Sequence, residues 1–493
     1  MKECWINHSN SSGSFKFLFM IFILSLFAIS PFFADTLTTC KTSRWVSGTT
    51  YYLTTNVSST GTCMQIDANN VTLDCQGHSI IHTEQGSGIE VKGFNFTTIK
   101  NCNIIGDTSA YNFGIALDSS SNNIITNNIA KSNNISILLE SSSNNTIYNN
   151  KISLNSKDGI SLYYSSDNII SQNTVTFNKM WGIFLAFSSN NIVSNNNASS
   201  NGFGISLAFG SNNTIFNNTA GSNQFGILLV SSSENIISNN NASTNNYGIV
   251  LGTNSNKNII SNNTINLNNT SIFLPLISNY DIISNNNVSN NTNSGIYLES
   301  SSNNTIYNNK VTSIGNGIEL INNSNYNIIS NNIFTSTQIY AASIVDSSDN
   351  MIYNNIFNGF LSPVYVDTNP NYWNTTKAEG TNIVGAAYIC GNFYVNLTGG
   401  FSRTCSDTNS DGICDSPSIY TLATNNIDYQ PLAAPVPALN SSILNQSNMI
   451  YTSTQNVSSD DTFGGYEWPW LLFIFVGGLI LLILTKLNKP KKR

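Results

Sequence analysis

The sequence predicts an all-β solenoid, a parallel β-helix with three short strands per coil, and three observations carry that prediction. A unit of about 22 to 25 residues restarts at Gly159, Gly182, Gly204, Gly226 and Gly248, a period that belongs to stacked repeats. Each unit holds three apolar columns. The first is the pair Ile115/Leu117, repeated as Ile160/Leu162 and onward to Ile318/Leu320; the second runs from Ile125 to Ile352, the third from Ala130 to Phe357. Around them apolar and polar residues alternate with the two-residue period of a strand rather than that of a helix. Third, asparagine marks the corners, in one column from Asn123 through Asp281 to Asn350 and another from Asn127 through Gln172 to Asn354. Asn tolerates left-handed backbone at a bend, and stacked amides bond from layer to layer as in cross-β ladders. The glycine that opens each unit reads as a bend requirement.

Composition narrows the function. Only 9% of the 493 residues are Asp, Glu, Lys or Arg, against about 25% in a typical soluble domain. A net charge of -7 spread this thinly leaves no basic face. No nucleic-acid partner is expected, because binding one means neutralising phosphates.

In chain order, residues 1–34 read as a signal peptide. Lys16 precedes an apolar run from Phe17 to Ile29, and Ala34 is a small residue suited to cleavage. Pro31 and the bulky Phe32 leave an uncleaved anchor as the alternative. Residues 36–113 form N-terminal coils. Leu73 and Ile99 share the second column one coil apart, which makes Cys75 and Cys102 neighbours close enough to bridge. An exported compartment permits disulfides. The favoured pairs are Cys40 with Cys63, Cys75 with Cys102, and Cys405 with Cys414; Cys390 is then odd, and other connectivities stay open.

Residues 114–357 are the regular body, about eleven coils and on the order of 50 Å long at the usual strand spacing. Trp181, Phe203, Phe225 and Tyr247 precede the repeat glycine on consecutive coils, with Phe184, Phe187 and Phe209 nearby. Such a column offers a flat platform for sugar rings, unless the rings merely stack on one another. Catalysis needs carboxylate pairs or a basic residue, and candidates are sparse: Glu140 with Asp158, Glu299 with Glu319, and Lys151 and Lys157 near the first pair. Lone surface carboxylates are usually only solvated, so no catalytic residue is assigned.

The runs Val71-Thr72-Leu73-Asp74-Cys75-Gln76-Gly77-His78, Gly88-Ile89 and Thr98-Ile99-Lys100-Asn101-Cys102, followed by coils of the type Ser143-Asn144-Asn145-Thr146-Ile147-Tyr148-Asn149-Asn150, resemble NosD-type right-handed β-helix repeats of exported surface proteins. The resemblance spans roughly residues 40 to 430. It implies a right-handed coil and a grouping with carbohydrate-binding and sugar-hydrolase β-helices; through the name-giving member it also implies a role in copper-enzyme maturation. The residues give copper little support. His8 lies in the leader and His78 and His82 in the first coil, with no Met or Cys grouping to make a soft-metal site. A structural hydrogen-bonding role is expected for His78.

Residues 358–431 leave the repeat. Asn371-Tyr372-Trp373-Asn374 resembles the motif that closes such solenoids. Asp407, Asn409, Asp411 and Asp415, with the Ile413 carbonyl and Gly412, match the first part of an EF-hand-like calcium loop. Ser418 stands where a Glu would close the site, so Asp428 or water would complete it; the alternative is a plain Asx turn clipped by Cys405 and Cys414. Residues 432–467, rich in Ser, Asn and Thr, form a stalk. Asn-x-Ser/Thr triplets at Asn56, Asn95, Asn134 and Asn144 are candidate glycosylation sites, although this composition generates many by chance. Residues 468–485 reach the roughly 18-residue lower limit of a transmembrane helix. The basic tail 486–493 puts the C-terminus in the cytoplasm.

The expected protein is therefore a single-pass, membrane-anchored extracellular β-helix with a structural, adhesive or carbohydrate-binding role. A polysaccharide lyase, hydrolase or epimerase is the alternative, and a copper maturation factor the second.

Overall fold

A computed structural model describes residues 33–108, 111–396 and 399–434. Most of the expected signal peptide, the stalk beyond Ala434, the transmembrane segment 468–485 and the basic tail lie outside the described residues. No described helix is long and apolar enough to cross a membrane.

The chain winds into a right-handed parallel solenoid of about 14 turns. Its first sheet has 15 strands, from Phe33–Leu37 to Met351–Tyr353, and its second has 14, from Met64–Ile66 to Ser362–Val366. Two six-stranded sheets make the third face, joined by single bridges through Asn197, Thr219 and Asn241. That narrowing coincides with alanine in the third apolar column, at Ala198, Ala220 and Ala242.

The three columns are the core. Ile160, Ile183, Ile205, Ile227 and Ile249 pair in direct register and, like their column partners, are fully buried. Each such side chain contributes about 1.5–3 kcal/mol by leaving water. Between Gly114 and Gly317 two coils escape the glycine signature, with Ile137/Leu139 and Ile272/Leu274 in the same register. Ser136 and Ser271 take the glycine position there, and their hydroxyls donate to the carbonyls of Ala130 and Ile265 at 3.1 and 3.3 Å.

The asparagine columns divide into two roles that the sequence reading had merged. The column through Asn168 and Asn191 is a buried ladder, in which the backbone N–H and side-chain amide of Asn168 donate to Asn191 Oδ1 at 2.8 and 3.2 Å. The column through Asn127, Gln172 and Asn217 is the left-handed corner, with φ near 55°, and carries isolated amide bonds, Asn149 to Asn127 and Asn354 to Asn331, rather than a continuous ladder. The ladder lies one residue later: Asn196 donates to Asn218 Oδ1 at 2.9 and 3.0 Å and to the Ile170 carbonyl at 2.9 Å. A third ladder, through Asn178 and Asn201, was not anticipated.

That third ladder explains the glycines. Gly182, Gly204 and Gly226 do not adopt positive φ, so the expected bend requirement is corrected. A Cβ on Gly204 would lie 2.5 Å from the Gly226 carbonyl and 2.8 Å from Asn223 Nδ2. Glycine is needed where the ladder amide and the next coil press against the backbone.

All three expected disulfides form, and Cys390 is a buried free thiol. Cys40–Cys63 and Cys75–Cys102 span 4.8 and 4.7 Å between Cα atoms, the distance between stacked coils, so each staples one coil to the next. The expected closing motif is also present. Trp373 is buried beneath the last coil and donates from Nε1 to Asn426 Oδ1 at 2.9 Å.

Candidate functional site

The outer face of the second sheet gathers the aromatic residues. Register aligns Trp181, Phe203, Phe225 and Tyr247 in one column, and the ladder continues through Phe273 to Tyr297. Ring centroids are 5.2 Å apart for both Phe203–Phe225 and Phe225–Tyr247, and 4.8 Å apart for Phe273–Tyr297. Because the coil repeat nearly equals a stacking distance, the rings lie face to face along the axis. Trp181 stacks on Phe184 at 4.2 Å, and Trp181, Phe184, Phe203 and Phe225 are all at most 9% exposed. This corrects the flat platform: these faces are used on one another, and edges are what they offer.

A second ladder is more open. Tyr164, Phe187 and Phe209 stack at 5.0 and 4.8 Å at the corner that ends these strands, each in the left-handed region at φ 52°, 51° and 56°. Tyr164 is 44% exposed. Of the residues expected to contact glycan, Phe209 belongs to this ladder. The missed signal was position: an aromatic immediately after the strand, where the backbone turns.

The carboxylate candidates separate. Asp158 pairs with Ile135 and Tyr163 with Glu140, which puts Asp158 and Glu140 five strand residues apart, about 17 Å. That exceeds the roughly 5 to 10 Å of a glycosidase pair, and Lys151 lies on the third face. Asp158 is fully buried, accepts from Ser161 Oγ at 2.9 Å and meets Lys157 Nζ at 3.7 Å. Burial pushes its carboxyl up to about 6, against the pull of Lys157. By contrast, Glu319 pairs with Tyr297, so Glu299 is its diagonal neighbour at about 7–8 Å. Ser294 donates to Glu319 at 2.6 Å and Asn322 to Glu299 at 3.1 Å.

In the cap, the Asp407 carboxylate accepts from the N–H groups of Asp411 and Gly412 at 3.1 and 2.9 Å. Asn409 accepts from Asp411 N at 3.0 Å, and Asp415 from Thr408 N at 2.8 Å. Lys377 Nζ lies 2.7 Å from Asp411. Burial acts to raise the Asp411 carboxyl, but Lys377 and the Ile413 N–H outweigh it and hold it below the usual range. The oxygen donors around Gly412 fit calcium in type. Asp428 cannot complete the set as expected, because it is buried against Asn392 N, Gln430 N and Tyr394 OH. Among the described residues no three His, Cys, Asp or Glu side chains gather to hold a metal.

The stacked coils, inward aliphatics and amide ladders define a right-handed parallel β-helix. A family model described as right handed beta helix region matches residues 54–187 and 137–274, and one described as periplasmic copper-binding protein (NosD) matches residues 226–399. With the coil geometry, these place the chain in the NosD-type right-handed β-helix family. No match was found among curated proteins. Among solved structures, an A-module of a mannuronan C-5 epimerase from Azotobacter vinelandii is 13% identical, with TM-score 0.43, covering 60% of this chain and 90% of that one. The Dettilon tailspike protein is 18% identical, with TM-score 0.41, covering 60% and 62%. A DFA-IIIase from Arthrobacter chlorophenolicus is 13% identical, with TM-score 0.41, covering 52% and 84%.

The copper-binding description does not fit these residues. The segment 226–399 contains no His, and its soft donors are Met351 and Cys390 alone. Cys390 is buried, and burial pushes its thiol up to about 11. His82 is buried too, with Nε2 2.9 Å from Asn133 Oδ1 at the head of the third ladder.

Proposed function

We propose that this protein is an exported β-helix rod, tethered to a cell membrane by its C-terminal segment, with a structural or adhesive role that includes binding a neutral glycan. The stacked ladder Tyr164–Phe187–Phe209 carries the glycan reading, because it presents apolar ring surface at a solvent-facing corner. Three disulfides support an oxidising compartment. Charge supports a neutral ligand: Lys92 pairs with Asp118 at 2.6 Å and Lys157 with Asp158 at 3.7 Å, while Glu140, Glu299 and Glu319 add negative charge to this face. A polyuronate would meet repulsion there. Glycan-array binding of the purified full chain tests the reading. Tyr164→Ala and Phe209→Ala should each weaken binding about tenfold, with Trp181→Ala weaker in effect; no binding by the parent, or binding unmoved by both variants, removes it.

Glu299 and Glu319 favour a second reading, hydrolysis of a neutral polysaccharide at the end of the aromatic ladder, since their separation suits an acid and its partner. Incubation with a panel of neutral polymers should then release reducing ends, and Glu319→Gln should stop it. Absence of new ends from the parent protein discards this reading.

A further inference from the structure

The outer face of the first sheet carries neither the aromatic ladders nor the carboxylates, yet it is unusual in its own way. Each strand there places two side chains on this face, and from Ile124/Thr126 to Ile328/Ser330 none of them is charged, although Thr126, Ser194, Ser284 and Ser330 are themselves buried among their neighbours. Ile124, Ile169, Ile192, Ile236 and Ile328 are 38–41% exposed in a single register column. Strand propensity favours branched side chains, but Thr satisfies it without exposing aliphatic surface. Exposed apolar surface of this kind, interrupted in its column by Thr146, Thr214 and Thr305, marks an interaction site.

The two outward columns are also matched in bulk. Where the first position is Ile the second is small, as in Ile169/Ser171, Ile192/Ser194, Ile236/Ser238, Ile259/Ser261 and Ile282/Ser284. Where the first is Thr the second is aromatic, as in Thr146/Tyr148, Thr214/Phe216 and Thr305/Tyr307. A two-fold axis parallel to the rod would bring the first column of one copy onto the second column of another within the same coil. Every Ile would then face a Ser or Thr, and every Tyr or Phe a Thr.

From this complementarity we infer that the first sheet is the surface through which two copies of this chain pair side by side, parallel and in register. The area is modest. Ten coils at about 4.8 Å by a stripe of about 12 Å give roughly 600 Å² per copy, the low end for a specific interface. Pairing is therefore weak between free molecules and strengthens where a shared membrane raises the effective concentration. That last clause and the vesicle experiment below rest on the proposed tether, which also holds both rods in the same direction.

Cysteine cross-linking of the full chain in lipid vesicles tests the geometry. Under mild oxidation, a mixture of Ile236→Cys and Ser238→Cys copies should give several-fold more disulfide-linked dimer than either variant alone. Adding Ile192→Lys to both should abolish it while leaving the unfolding midpoint unchanged. Dimer forming best from Ser238→Cys alone would indicate antiparallel pairing and overturn the inference. No dimer in the mixture, with the vesicle-bound protein folded, would overturn it as well and leave the face to another occupant. Neither outcome touches the glycan reading, whose residues lie on the second sheet and its corner.

Discussion

The regular coils and the cap face the same requirement, satisfying buried amides and backbone away from water, and meet it in opposite ways. Within the coils each group is answered by its own counterpart on the next layer, as Asn168 is by Asn191 and Asn196 by Asn218. The cap gathers unlike partners on a few residues, with no further layer to repeat them. The first ladder passes from Asn350 to Asn371 and ends on Asn426; the second passes from Asn355 to Asn392 and ends on Asp428. One short strand, Asn426–Asp428, therefore terminates both ladders. Redundancy makes the middle of a repeat tolerant of damage, whereas an end has no duplicate.

The largest expected effect is at the cap. Trp373→Ala removes a fully buried indole that holds Asn426, at a cost of about 3–5 kcal/mol. Hydrogen exchange should show protection lost from the last coils while the coils between Gly159 and Gly252 keep theirs. Uniform loss along the rod would break the comparison. Asn196→Leu comes next. It orphans the Asn173 N–H, at about 1–3 kcal/mol, while the Asn173 amide keeps its bond to the Ile147 carbonyl, and it should lower the thermal midpoint less than the tryptophan variant.

Asp281 sharpens the comparison from within the ladder, where it takes an asparagine position. Neighbouring amides donate to coil carbonyls, as Asn304 does to Ser278 at 3.1 Å, but Asp281 Oδ2 has no partner. Burial pushes its carboxyl up to about 8, far above the unfolded value of about 3.9. Between those values the folded state holds a proton that the unfolded chain releases, so stability falls as pH rises. Asp281→Asn should raise the midpoint at pH 8 more than at pH 5; an equal gain at both would contradict this. The smallest effect is at the Asp407–Asp415 loop. We propose that calcium competes with the Lys377 ammonium there, so adding it should raise the midpoint by a degree or two and a chelator should reverse the rise. An unchanged midpoint argues against the site.

The columns were legible because inward aliphatics recur at fixed spacing; of the three disulfides, only Cys75–Cys102 was supported by coil adjacency, and the other two were favoured among open alternatives. What escaped depends on the neighbouring layer. Asn127 and Asn128 are the same letter, yet one turns the corner and the other builds the ladder. Ser136 and Ser271 hid the first-column pairs of two coils because a hydroxyl replaces the signature glycine. Trp181 was readable as outward, but not as covered by Phe184. The spacing of Glu299 and Glu319 needed strand register, which the sequence does not state.

The ladders and the sheets share one direction, with their hydrogen bonds lying along the rod. Tension applied to its ends therefore loads those bonds one layer at a time and peels coils in succession. Each coil released adds about 22 residues, or ~75 Å of extended chain, while the rod shortens by only ~5 Å. Under force the molecule lengthens before it breaks, and peeling from the C-terminal side stops where Cys75–Cys102 staples two coils together.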